Sequence, residues 1–171
     1  NGEDKFDRAN YENTIDTDPL YILNTSGSTG IPKGVTLPHR AMIDYITWVT
    51  EFYEFDENLV IGNQSPLHFD ISASDLYITL AIGATMILIP ESLFAFPQRL
   101  LEFVRDNGIN FVYWVPSILS AVSKLDLLKD IDLGIKTVFY GGELMPTKHL
   151  KYWKKHVPNT LYSNFFGPTE T

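Results

Sequence analysis

Between residues 60 and 164, short apolar runs alternate with helical patterns, and this alternation limits the possible folds more than any other feature. The runs at 60–62, 85–89, 111–115, 137–140 and 160–164 are rich in β-branched and aromatic residues, as strands are. The stretches 72–81, 97–107, 116–124 and 146–156 have helical spacing. Gly83 and Gly108 follow two of these helices, where a left-handed cap favours glycine. Parallel strands need such helical crossovers, so the fold class is α/β with a largely parallel sheet flanked by helices.

Upstream, 20–23 and 35–37 read as short strands. Residues 38–54 read as a helix. Its apolar side carries Ala41, Met42, Tyr45, Trp48, Val49 and Phe52, and its polar stripe carries Arg40, Asp44, Thr47 and Glu51. Residues 1–18 are polar and acidic, a tail or loop, and 19–171 read as one unit. Asp75 is expected on the surface of its helix.

The segment from Thr25 to Gly34 is built mainly of Gly, Ser and Thr, with Pro32 and Lys33. Glycines let the backbone approach a ligand, hydroxyls and amides offer donors to phosphate oxygens, and Lys33 adds a point charge. The order is not that of a Walker A loop, because Pro32 precedes Lys33 and Gly34 follows it.

The formal charge is −8, which argues against non-specific nucleic-acid binding. An anionic ligand therefore needs local donors. The chain has no cysteine, which excludes disulfides and thiol catalysis and fits a cytoplasmic protein. No stretch reaches the ~20 apolar residues of a membrane span, so no membrane insertion is expected. The first residues are polar and include no initiator Met, as though the chain were excised from something longer.

The string from Tyr21 to Gly34 resembles the core motif of the adenylate-forming enzymes. These comprise acyl-CoA synthetases, luciferases and the adenylation domains of nonribosomal peptide synthetases. Further motifs follow in family order: 65–72, with Phe69-Asp70; 140–143, Tyr-Gly-Gly-Glu; and 164–170, Asn-Phe-Phe-Gly-Pro-Thr-Glu. The segments 139–146 and 75–77 also resemble D-alanine ligases that load a carrier protein. The resemblance covers nearly the whole chain.

It implies that a substrate carboxylate attacks the α-phosphate of ATP, releasing pyrophosphate and leaving an acyl-adenylate. The acyl group then passes to a phosphopantetheine thiol on a carrier protein, or to coenzyme A. By resemblance, Thr25, Ser26, Gly27, Ser28, Thr29, Gly30 and Lys33 grip the phosphates. Thr169 contacts the α-phosphate, and Glu170 holds Mg2+, a hard ion suited to carboxylate oxygen. Gly141, Gly142, Glu143, Asn164, Phe165, Phe166 and Gly167 surround the adenine, with Phe166 standing where the family has Tyr. Lys33, Thr169 and Glu170 are the implied catalytic set.

The acid site implied is Phe69, Asp70, Ile71, Ser74, Tyr113, Phe139, Gly141 and Phe165. In relatives that activate amino acids, the Asp of the Phe-Asp pair binds the substrate ammonium. Asp70 has a second reading, as the N-cap of the following helix. Bulky Tyr113 and Phe165 suggest a shallow pocket for a small side chain. His68 reads as a pocket-lining or structural residue, and Lys148, Lys151, Lys154 and Lys155 as a solvated basic face. The resemblance places the family's catalytic lysine in a C-terminal domain beyond Thr171, so this piece alone is expected to bind nucleotide weakly without turnover. The alternatives are an acyl-CoA or aryl-acid ligase, and a non-catalytic nucleotide-binding module.

Overall fold

The computed structural model describes residues 13–25, 33–67, 69–129 and 131–167, with Thr25 described by its backbone. Its main body is a five-stranded sheet in the order β4-β3-β5-β6-β7. The strands are β3 (Val60–Asn63), β4 (Thr85–Leu88), β5 (Phe111–Trp114), β6 (Thr137–Tyr140) and β7 (Leu161–Asn164), paired parallel throughout. Two further strands, β1 (Pro19–Thr25) and β2 (Lys33–Pro38), form a separate antiparallel ribbon.

The helices are α1 (His39–Phe52), α2 (Asp70–Ile82), α3 (Pro97–Asp106), α4 (Pro116–Lys124) and α5 (Thr147–His156). A 3₁₀ turn, Glu91–Ala95, is not foreshadowed by the sequence pattern. Gly83 caps α2 at φ 69°, and Gly108, just past α3, has φ 63°. Pro38 occupies the N-cap of α1 and offers no side-chain cap. The carbonyls of Asp18 and Asp16 instead accept the amides of His39 and Arg40, satisfying donors that a helix start leaves open. Residues 16–18 are thus docked on the start of α1.

Side chains alternate across each strand, so the two sheet faces build two cores. Ile61, Phe111, Tyr113 and Phe139 pack against α1 and α2 through Met42, Ile46, Val49 and Ile78. Val112, Trp114, Val138 and Tyr140 pack against α3, α4 and α5 through Leu100, Val104, Leu119, Val122 and Trp153. Burial on both sides explains why β5 and β6 are unbroken apolar runs. The helical pattern of α1 needs one correction. Its buried stripe is Met42, Ile46 and Val49, while Trp48 and Phe52 remain substantially exposed and stack on each other at 5.7 Å.

Chain order reverses at β3. The chain passes outward to β4, and α3 then returns it across β3 to β5. Such a switch point opens a crevice at the carboxyl ends of the strands. At the opposite edge, Asn110 acts as a clasp. Its Oδ1 accepts the Val60 amide at 2.8 Å, its Nδ2 donates to Asn58 O at 3.1 Å, and its carbonyl accepts the amides of Lys136 and Thr137.

Candidate functional site

The described site residues predicted from the sequence, apart from those of the β1–β2 ribbon, belong to the carboxyl edge of the sheet, the turns leaving it, or the first turns of α2. β6 runs into Gly141 and Gly142, and β7 into residues 165–167. The Phe165 amide donates to Tyr140 O at 2.9 Å, extending the β6–β7 ladder by one bond. A Cβ on Gly141 would lie 2.1 Å from the Phe165 carbonyl oxygen, so only glycine fits there. Gly142 has φ 82°, a left-handed conformation that disfavours side chains.

These turns enclose an open cleft of about 690 Å³, lined by Gly142, Glu143, Leu144, Asn164, Phe166 and Gly167 among others. Phe166 is 89% exposed, so its ring is not part of the core and is free to stack on a planar group. The Glu143 carboxylate serves the scaffold instead, accepting the Ser117 amide at 2.9 Å at the start of α4. A negative group at a helix N-terminus is stabilising.

Beside the cleft, on the α1–α2 side, lies a packed cluster of aromatic rings. Phe165 stacks on Phe139 at 4.1 Å between centroids, and Tyr113 stands 5.7 Å from Phe165 and 5.9 Å from Phe139. The Tyr113 hydroxyl lies 3.5 Å from where a Gly141 Cβ would sit. Burial pushes the Tyr113 phenol well above its ordinary value, with Tyr45, Asp70 and Asp75 adding to the shift. Tyr21, on β1, is likewise pushed up by burial and then by Asp70.

Asp70 is not the N-cap of α2. Phe69 holds that position in an extended conformation, and Asp70 is the first helical residue, its Oδ1 accepting the Ile71 amide at 2.9 Å. The carboxylate is half-buried and favourably placed at the positive end of the helix. Ile71 packs into the α1–α2 core, and Ser74 is buried one turn after Asp70. Phe69 is 54% exposed.

Asp75 overturns its surface assignment: it is 0% exposed. Its Oδ2 accepts Asn63 Nδ2 at 2.9 Å, and among the described residues its Oδ1 has no partner. Burial pushes this carboxyl up to about 7, against the opposing pull of the Asn63 hydrogen bond. Ser72, Asp75 and Thr79, at i, i+3 and i+7, make a polar stripe on α2 that faces inward, with Ser72 and Asp75 buried and Leu80 69% exposed. The helical spacing alone does not say which side is covered. Tyr45, counted among the apolar positions of α1, is also a polar contact: its hydroxyl shares a 2.8 Å hydrogen bond with Ser74 Oγ.

Lys33 is exposed and pairs with Thr25 across the ribbon, so the two strands deliver both ends of the Gly/Ser/Thr loop to one place. Ser26, Gly27, Ser28, Thr29 and Gly30 lie outside the described residues, as do His68, Thr169 and Glu170. Among the described residues no group of three or more His, Cys, Asp or Glu could hold a metal. None of the described helices is long and apolar enough to cross a membrane.

A doubly wound parallel sheet with glycine turns and a cleft at its carboxyl edge defines an α/β module built to bind a small molecule. The chain belongs to the AMP-binding enzyme family, whose sequence pattern matches residues 2–171. It is 42% identical over 155 residues to the L-proline–[L-prolyl-carrier protein] ligase of Pseudomonas fluorescens, covering 90% of this chain and 31% of that protein. It is 30% identical over 156 residues to a D-alanine–D-alanyl carrier protein ligase of Bacillus cytotoxicus, covering 91% and 31%. The fold matches the crystal structure of the Vibrio cholerae adenylation domain AlmE in complex with glycyl-adenosine-5'-phosphate. There the TM-score is 0.80 and the identity 25%, over 91% of this chain and 29% of that one. The chain thus spans about a third of the length of the curated relatives it matches.

Proposed function

We propose that the chain is part of an ATP-dependent ligase that activates a compact amino acid as its adenylate and passes it to a carrier-protein phosphopantetheine. The observation that carries this reading is the juxtaposition of two groups around the turns that leave β6 and β7. The first is the cleft with the exposed Phe166 ring; the second is the aromatic cluster beside Gly141, whose Tyr113 feels Asp70. A nucleobase suits the first. A carboxylate among tyrosine and phenylalanine rings complements an ammonium in the second, since ring faces also attract cations.

In this reading the acid carboxylate meets the α-phosphate near Gly141, and pyrophosphate leaves towards the loop carried by Thr25 and Lys33. Catalysis is positioning and charge neutralisation. Ser26, Gly27, Ser28, Thr29, Gly30 and Lys33 hold the β- and γ-phosphates, and Thr169 the α-phosphate. Mg2+ supplies charge neutralisation, with Glu170 as its protein ligand. The Glu143 backbone, not its occupied carboxylate, faces the nucleotide. The closely packed rings of Tyr113, Phe139 and Phe165 favour a small side chain. The amino acids in the relatives' names are also compact: proline, alanine and glycine.

ATP–pyrophosphate exchange by the full-length protein, across amino, fatty and aryl acids, tests this. L-proline, D-alanine and glycine head the panel. Exchange confined to amino acids and reduced ~30-fold or more by Asp70→Ala is expected, in line with about 2–5 kcal/mol for loss of one partner of a charge pair. Exchange with fatty or aryl acids that survives the substitution overturns the amino-acid assignment.

A further inference from the structure

Tyr45 lies outside every motif that marks the site, yet it touches Ser74, one of the residues assigned to the acid site. Ser74 follows Asp70 by four residues, so the two share one face of α2. The Tyr45 hydroxyl, reaching from α1, is hydrogen-bonded to Ser74 Oγ at 2.8 Å. Its ring leans on Trp48 at 6.3 Å, and Trp48 lies 6.0 Å from Phe165, which stacks on Phe139. Tyr113 feels both Tyr45 and Asp70. Tyr45 therefore ends a chain of aromatic side chains that runs through Trp48 and Phe165 to Phe139, on the face of α2 that carries Asp70 and Ser74.

We propose that Tyr45 is a specificity-determining residue: its ring ends the side-chain pocket, and its hydroxyl occupies the Ser74 hydroxyl that a polar substrate side chain would otherwise reach. This rests on the amino-acid reading of Asp70 and deepens it. Two consequences separate the ring from the hydroxyl. Removing the ring opens space bounded by Trp48 and Tyr113, suited to a branched or aromatic side chain. Removing only the hydroxyl keeps the pocket short but frees Ser74 Oγ, which favours a side chain bearing its own hydroxyl. Burial pushes the Tyr45 phenol up to about 12, so it acts as a neutral hydrogen-bonding group at every working pH. It is distant in role from the reacting atoms, so its loss should fall on KM more than on kcat.

The test uses the full-length ligase with Tyr45→Ala and Tyr45→Phe, in pyrophosphate exchange with L-proline, L-alanine, L-serine, L-leucine and L-phenylalanine. Tyr45→Ala is expected to raise KM for the wild-type acid about tenfold or more. It should improve the ratio of leucine or phenylalanine to that acid by at least about tenfold, the scale of hydrophobic pocket discrimination. Tyr45→Phe, the milder change, is expected to raise the serine-to-alanine ratio about 2- to 10-fold, one neutral hydrogen bond's worth. KM for ATP stays unchanged in both. Acid ratios equal to wild type in either folded variant overturn the proposal. A wild-type enzyme that exchanges only non-amino acids overturns the Asp70 reading itself, and this inference with it.

Discussion

The two faces of the sheet are made from neighbouring residues of the same strands, yet they differ in kind. The face under α3, α4 and α5 is mostly aliphatic, and at its carboxyl edge Tyr140, Met145 and Leu150 also line the cleft. Its largest residues meet their needs internally; Trp153 Nε1, for example, donates to Leu119 O at 2.9 Å. The one exception there among the described residues is Trp114 Nε1, which has no partner. The face under α1 and α2 is aromatic and studded with polar groups: Asp75 with Asn63, Tyr45 with Ser74, and Asp70 at its rim. Buried polar atoms without partners weaken a core, and among the described residues each face keeps one, Asp75 Oδ1 here and Trp114 Nε1 opposite; what sets this face apart is that its group is a carboxyl.

Five substitutions in the full-length protein probe this contrast. Leu100→Ala should lower stability by about 2–5 kcal/mol, read as a fall in the urea midpoint, with KM values unaffected. An equal loss from Tyr45→Phe would erase the distinction between the faces. Gly141→Ala forces a Cβ against the Phe165 carbonyl and should cost about 1–3 kcal/mol in strain. If that strain reaches the site, pyrophosphate exchange drops roughly 5- to 150-fold. Unchanged exchange would uncouple Gly141 from the pocket.

Asp75→Asn sharpens the comparison through pH. The folded-state pKa of Asp75 is raised to about 7, so the folded protein holds a proton that the unfolded chain releases. Wild-type stability should therefore fall as pH rises from about 4 towards 7, by at most about 1.4 kcal/mol per unit from this group. Tyr45 and Tyr113 stay protonated across that window and add no slope. The Asn variant should lack this slope, matching wild type best at low pH and exceeding it at pH 8. Urea midpoints at pH 5 and 8 decide the matter, and parallel curves would mean that Asp75 is ionised throughout. Lys151→Ala, on the exposed side of α5, should change stability by less than about 0.5 kcal/mol and calibrates the scale.

The strands and helices of the main sheet are legible in the sequence because their signals are local. Alternating apolar runs, Gly83 beyond α2 and Pro116 at the start of α4 are read within a few residues. Strand bounds agree to within a residue or two: the pattern predicts 111–115 and the strand is Phe111–Trp114. What escapes depends on distant partners. Nothing near Glu143 announces the Ser117 amide 26 positions away. Nothing near Tyr45 announces Ser74, or near Asp75 announces Asn63. The separation of β1 and β2 into their own antiparallel ribbon is equally invisible, because period-two patterning does not say which sheet a strand joins.

The Asn110 clasp also bears on how fast the chain finds its fold. It joins residues 50 positions apart, and the β3–β5 pair beside it closes over the whole excursion through α2, β4 and α3. Such non-local pairing is slow, because loop entropy is lost before any contact repays it. A residue whose side chain and carbonyl together tie three strands at their amino ends defines the register from which the rest of the sheet can zip. Asn110→Ala is therefore expected to slow refolding as well as lower stability, which stopped-flow refolding in urea would check.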